Sequence, residues 1–197
     1  MKVNKENNRR VMLLGIANTI LILVITLLHI NNNEPGTISY FVLHACTEIT
    51  YILLLVYLIN ILQYANEKIS VQTPFNIYLG LAFIKLLLGF LYTSNAGELA
   101  MGIGMLSMCL TIYLIISSFK IANEKIATAY KLFSLVLLLN MLTKIAIPFI
   151  VVISARMFPS RYFYLMDIME VGTILYIIRS CGDLLKTNEV NAVNPDI

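Results

Sequence analysis

The stretch from Ile38 to Tyr64 is apolar along almost its whole length, yet it carries His44, Cys46, Thr47 and Glu48 near its middle. A helix of that length crosses a bilayer, whose hydrocarbon core needs about 20 apolar residues, with some tilt. Placing Glu48 in hydrocarbon costs roughly 2.5–3.5 kcal/mol, so the carboxylate is expected to face other helices or a wet cavity, and the rest of the chain must supply its partners.

Five further apolar runs surround this one. The six expected spans cover about 11–30, 38–64, 75–93, 98–119, 132–154 and 162–178. They form one transmembrane domain over 11–185, preceded by a basic segment over 1–10 and followed by a polar, disordered tail over 186–197. With 59% hydrophobic and 13% charged residues, the chain lies outside the range of soluble domains. The run from Val11 follows Lys2, Lys5, Arg9 and Arg10 like a signal peptide, but it is long and lacks a small-x-small cleavage site, so it reads as a retained anchor helix. The fold class is therefore all-α: a polytopic bundle of six transmembrane helices arranged as three helical hairpins.

Orientation follows from the loops. Lys2, Lys5, Arg9, Arg10, Lys68, Lys120, Lys125, Lys131, Arg179 and Lys186 collect on the side of the termini, while the other side holds only Arg156 and Arg161. The positive-inside rule then puts both termini in the cytoplasm, with the chain in a plasma membrane of bacterial inner-membrane type. Basic residues spread this way are topology determinants, and no nucleic-acid partner is expected. Because Trp is absent, the interfacial belt falls to tyrosines near span ends: Tyr40, Tyr64, Tyr92, Tyr130 and Tyr162.

Ala65-Asn-Glu-Lys-Ile69 recurs letter for letter as Ala122-Asn-Glu-Lys-Ile126. Lys85-x-x-x-Gly89-Phe90 is echoed by Lys144-x-x-x-Pro148-Phe149. Both echoes suit duplicated hairpins, against a background in which apolar sequence repeats by coincidence.

Charges deep within the runs mark the candidate site: Glu48, Lys85, Lys144, Asp167 and Glu170. At 1.5 Å per residue, Glu48 and Lys85 each lie about 15 Å into their spans and share a level. Lys144 and Glu170, about 18 Å and about 12 Å from opposite faces, share another, and Asp167 is shallower at about 8 Å. Two ion pairs are expected, Glu48 with Lys85 and Lys144 with Glu170. His44 stands one turn from Glu48, and Asn140 one turn from Lys144, so each charge has a polar neighbour on its own helix face. Pro148 is expected to kink the fifth span. Ala96, Ala100 and Gly104 form a smooth ridge on the fourth, and Asn18 is expected to hydrogen-bond across a helix interface.

Cys46, Cys109 and Cys181 have no metal-ligand spacing, and no HExxH, GxSxG, P-loop or dinucleotide fingerprint occurs. No metal, cofactor or catalytic residue is expected. The reading this favours is a small transport or channel-like protein in the bilayer, acting alone or as a homo-oligomer. It would bind a small polar or charged solute near the midplane, with Lys85 and Lys144 on anionic groups and Glu48 and Glu170 balancing them or taking up protons. One alternative is a non-transporting subunit, such as an assembly partner, immunity protein or sensor, whose buried ion pairs serve packing. A further alternative is an intramembrane lipid-modifying enzyme using Glu48 or Asp167.

Overall fold

The computed structural model describes the backbone of residues 2–30, 38–90, 96–154 and 161–193, and the side chains of residues 2–28, 41–88, 105–143 and 166–186. All regular structure among the described residues is α-helical, in six helices: α1 (Lys5–Ile30), α2 (Ile38–Tyr64), α3 (Ile69–Phe90), α4 (Ala96–Ser118), α5 (Glu124–Ser154) and α6 (Arg161–Val193). Four of them have described stretches long and apolar enough to cross a membrane: Lys5–Leu28, Phe41–Tyr64, Ile69–Leu88 and Glu124–Thr143. The chain is a helical membrane protein.

The helices overrun the apolar runs because a helix needs apolar side chains only where it meets hydrocarbon. Asn4 caps α1 by accepting the Asn7 N–H at 2.7 Å, so helix begins well before Val11. Pro74 lies inside α3, whereas the sequence reading starts that span after it. The carbonyl that Pro74 leaves without a helical donor belongs to exposed Ser70, where water can satisfy it. Helix α6 continues to Val193, through the start of the segment expected to be a polar tail.

Each helix touches its neighbours in sequence, α6 closes the ring against α1, and α2 and α6 also meet. Gly15 permits the close approach of α1 to α6, since a Cβ there would fall 2.5 Å from Leu175 Cδ2. Large apolar side chains such as Leu13, Ile20, Leu27, Met105 and Leu106 are exposed on the outside, the inverse of a soluble protein and the surface expected against lipid. Hydroxyls within the spans return to their own helix: Thr19, Thr26, Thr47, Thr111 and Thr143 each donate to the carbonyl four residues back.

The interior divides into two halves. One is dry and tightly filled: Leu54, Tyr57, Leu58, Ile61 and Leu62 of α2 pack with Tyr130 and Phe133 of α5 and with Ile174, Ile177, Ile178 and Cys181 of α6. The tyrosines here are paired, Tyr130 donating to the Leu58 carbonyl at 2.5 Å and Tyr57 to Asn8 Oδ1 at 3.2 Å. Tyr130, expected in the interfacial belt, is instead wholly buried, and its ring meets Phe75 edge to face at 5.4 Å. Exposed Tyr64 keeps a position suited to the belt.

The two copies of the pentapeptide meet beside this half, in different conformations. Asn66 ends α2 with a positive φ of 55°, a conformation that asparagine tolerates. Asn123 instead caps α5, its Oδ1 accepting the Lys125 N–H at 3.1 Å. Glu67 of the first copy is buried and accepts the backbone N–H groups of Ala122 and Asn123 of the second, at 3.0 and 2.8 Å. Glu124, its counterpart, is exposed. The ridge of Ala96, Ala100 and Gly104 and the ring of Pro148 lie outside the described side chains.

This asymmetry is testable. Glu67→Ala strips two charge-assisted hydrogen bonds from the start of α5 and is expected to lower stability by about 2 kcal/mol in equilibrium unfolding of the detergent-solubilised protein. Glu124→Ala is expected to change it by less than about 0.5 kcal/mol. Equal losses at the two positions would contradict the clamp.

Candidate functional site

The second half of the interior is polar and hollow. A cavity of about 240 Å³ lies between α1, α2, α3 and α6, with room for on the order of eight waters at about 30 Å³ each. Each helix contributes one face at helical spacing. From α2 come His44, Thr47, Glu48 and Tyr51; from α3, Tyr78, Ala82 and Lys85; from α6, Asp167, Glu170 and Val171; and from α1, Asn18, Ile22 and Ile25. Further along these helices lie the packed residues of the dry half, such as Leu54 in α2, Phe75 in α3 and Ile174 in α6, so apolar core forms the cavity floor.

Glu170 is the fixed point of the site. It is buried at 6% exposure, Tyr51 of α2 donates its hydroxyl to Oε1, and Asn140 of α5 donates Nδ2 to Oε2 at 2.7 Å. The same amide donates to Asp167 Oδ1 at 3.1 Å, so one asparagine tethers both carboxylates of α6. Tyr51 has a single proton, and Glu170 receives it; the 3.3 Å contact between the hydroxyls of Tyr51 and Tyr78 therefore has Tyr78 donating. A relay thus runs from α3 through α2 to α6, with α5 holding the far side. Thr173, one turn on, donates to the Glu170 carbonyl at 2.7 Å.

Asn18 is wholly buried and bridges to α2, its Nδ2 donating to the Thr47 carbonyl at 2.8 Å and to Thr50 Oγ1 at 2.5 Å. The interhelical role expected from the sequence is the one it plays. A carbonyl accepts only, so the nitrogen must face Thr47, and this leaves Oδ1 buried with no hydrogen-bond donor among the described residues. Asn140 Oδ1 likewise has none among the described residues, since both carboxylates hold its nitrogen. Both helices thus keep an unused acceptor at or beside the cavity.

Of the residues singled out from the sequence, His44, Glu48, Lys85, Asp167 and Glu170 share this one cavity, and Asn140 reaches two of them. Glu48 and His44 are half-buried, and Lys85 is exposed at the rim, where Nζ donates to Ser107 Oγ of α4 at 3.4 Å. The side chain of Lys144 lies outside the described residues, as does its expected pairing with Glu170; the donors seen on Glu170 are Tyr51 and Asn140. Tyr51, Tyr78 and Thr47 were not anticipated. Extending the His44–Glu48 face by the helical repeat to positions 47 and 51 would have found two of them.

Among the described residues, no three His, Cys, Asp or Glu side chains are placed to hold a metal ion. Cys46 and Cys109 are exposed and Cys181 is buried in the dry half. No protein-family model matches the chain, and no curated protein or solved structure matches it either. The reading of function rests on the site alone.

A double-mutant cycle tests the fixed point. Tyr51→Phe and Glu170→Gln each are expected to destabilise the protein, and together to cost less than their sum by roughly 1–2 kcal/mol, because the second change removes a contact already lost. Strict additivity in equilibrium unfolding would show that the hydroxyl and carboxylate do not interact.

Proposed function

We propose that this chain is a small solute-binding transport or permeation protein, with the cavity between α1, α2, α3 and α6 as its binding site. The observation that carries the reading is the convergence of ionisable groups from three separate helices on one hollow volume. Packing alone would be served more cheaply by filling that volume with apolar side chains, as the other half of the interior is filled.

Three described carboxylates line the cavity against one amine, together with His44. Carboxylates and the unused oxygen of Asn18 are acceptors, so the site favours a solute rich in N–H or O–H donors or carrying positive charge. Lys85 at the rim then balances the carboxylates, a different weighting from the anion-binding role the sequence suggested. Glu170, with the hydroxyls of Tyr51 and Tyr78 in series, supplies a path along which a proton can be exchanged with the cavity.

In the same reading the six helices form three hairpins with both termini cytoplasmic in a bacterial-type inner membrane, as the Lys and Arg distribution favours. The cavity then lies towards the outer side and the apolar floor towards the cytoplasm. This corresponds to a state closed on the inside, and transport would require α2 and α6 to part along the packed half.

A second reading keeps the binding site without transport. The tether of α2, α5 and α6 through Glu170 suits a sensor or accessory subunit whose cavity reads a ligand. Thermal-shift screening of the purified protein against small cations, zwitterions and anions, followed by uptake of any stabilising solute into proteoliposomes, separates the two. The expected outcome is stabilisation and uptake for a cationic or donor-rich solute. Both are lost in Ala82→Phe, which fills the cavity, and weakened roughly tenfold or more in Glu48→Gln. Stabilisation without uptake favours the sensor, and stabilisation by anions alone contradicts the charge assignment.

A further inference from the structure

Away from the cavity, the outer seam between α1 and α6 carries a second concavity that the proposed function leaves unused. Its walls are the N-terminal turns of α1 and the C-terminal part of α6. Lys5 and Arg9 stand one turn apart on α1; Arg179 and Lys186 stand two turns apart on α6, with Asp183 between them. Among the described residues, four cations thus face one carboxylate, and that carboxylate already contacts Lys186 at 3.5 Å. Asn8 fixes the seam by donating to the Ile178 carbonyl at 3.1 Å, and Gly182 lets it do so closely, since a Cβ there would sit 3.2 Å from Asn8 Nδ2.

The other component of the groove is apolar. Met12 and Leu13 of α1 and Leu185 of α6 line it beside the charges. Leu13, 60% exposed, also begins a stripe of exposed residues along α1: Leu13, Ile16, Ile20, Leu23 and Leu27. The stripe spans roughly 21 Å at 1.5 Å per residue, more than the roughly 15 Å half-thickness of a hydrocarbon core. Positive charge at one end of a long apolar track is the complement of a molecule with an anionic head and a hydrocarbon chain.

We propose that the α1–α6 groove is a binding site for an anionic phospholipid, with Lys5, Arg9, Arg179 and Lys186 around the phosphate and an acyl chain along the exposed stripe of α1. Basic pockets between transmembrane helices hold lipid head groups in this way, and guanidinium groups offer paired donors to phosphate oxygens. The positive end of the α1 helix dipole, at Lys5, adds to the same field. A lipid here would clamp the seam at which the helix ring closes. The inference stands apart from the solute-binding reading, because the groove and the cavity share no residues.

The test is native mass spectrometry of the full-length protein titrated in detergent with phosphatidylglycerol and with phosphatidylcholine of identical chains. Phosphatidylglycerol is expected to bind and phosphatidylcholine at least tenfold more weakly. The Arg9→Gln/Arg179→Gln variant is expected to weaken phosphatidylglycerol binding roughly thirty-fold, at about five- to sixfold for each cation. Lys120→Gln/Lys125→Gln, which removes two exposed charges elsewhere, is expected to stay within about twofold of the parent. Inorganic phosphate and glycerol phosphate, added at the lipid concentration, should not displace the lipid. Equal losses in the two double variants would reduce the effect to general surface charge and overturn the site. Equal binding of both lipids, or full displacement by glycerol phosphate, would also overturn it. Should the arginine variant unfold, Lys5→Gln/Lys186→Gln removes the same charge from the same groove and carries the same expectations.

Discussion

A carboxylate buried within an apolar bundle must be met by donors from its neighbours, and Glu170 is the place where this requirement shapes the molecule. Its two oxygens take a hydroxyl from α2 and an amide from α5, so three helices are positioned by one side chain. Leaving such a group without partners costs several kcal/mol, more than most single packing contacts contribute. The contacts around it therefore fix the rotation of α2, α5 and α6 about their own axes, and that rotation decides which residues face inward.

The division of the interior follows. With α2 turned so that Tyr51 meets Glu170, the face carrying His44, Thr47 and Glu48 opens on the same hollow, while the next turns place Leu54 and Leu58 in dry packing. Helix α6 does the same, passing from Asp167 and Glu170 to Ile174 and Ile178 within three turns. One half of the bundle supplies cohesion through close-packed aliphatic and aromatic side chains. The other gives up part of that packing to keep a polar space. The buried Glu67, which ties two inter-helix turns, and Gly15, which brings α1 against α6, hold the ring closed around both.

Much of this was legible in the sequence. The α2 run was marked by its uniform apolarity, and its bounds of 38 and 64 are those of the helix. Depth, at a fixed rise per residue, put Glu48 and Lys85 at one level, and both line the cavity. What depth cannot give is azimuth, which is set by neighbouring helices, so the contact of Lys85 with Ser107 of α4 is not legible from it. Tyrosine hid the rest. Its ring reads as apolar in a hydropathy pattern and as a belt residue near a span end, so neither the cavity-lining hydroxyl of Tyr51 nor the buried one of Tyr130 announced its role. The repeated pentapeptide falls between an even-numbered helix and the next in both copies, but Asn66 takes a positive φ where Asn123 caps a helix, a difference that identical letters cannot announce and that tertiary contacts decide.

The central claim is that the half of the bundle around Glu170 is wet and the half around Leu58 is dry. Accessibility of introduced cysteines in intact membranes tests this most directly, in a background where Cys46, Cys109 and Cys181 are replaced by alanine. A small, charged, membrane-impermeant thiol reagent is expected to label Thr47→Cys on the cavity wall, while leaving Leu58→Cys in the floor and Ile49→Cys on the lipid-facing side unmodified. If Thr47→Cys proves as inert as Leu58→Cys, no water reaches the acidic face of α2, and the polar residues there serve packing alone.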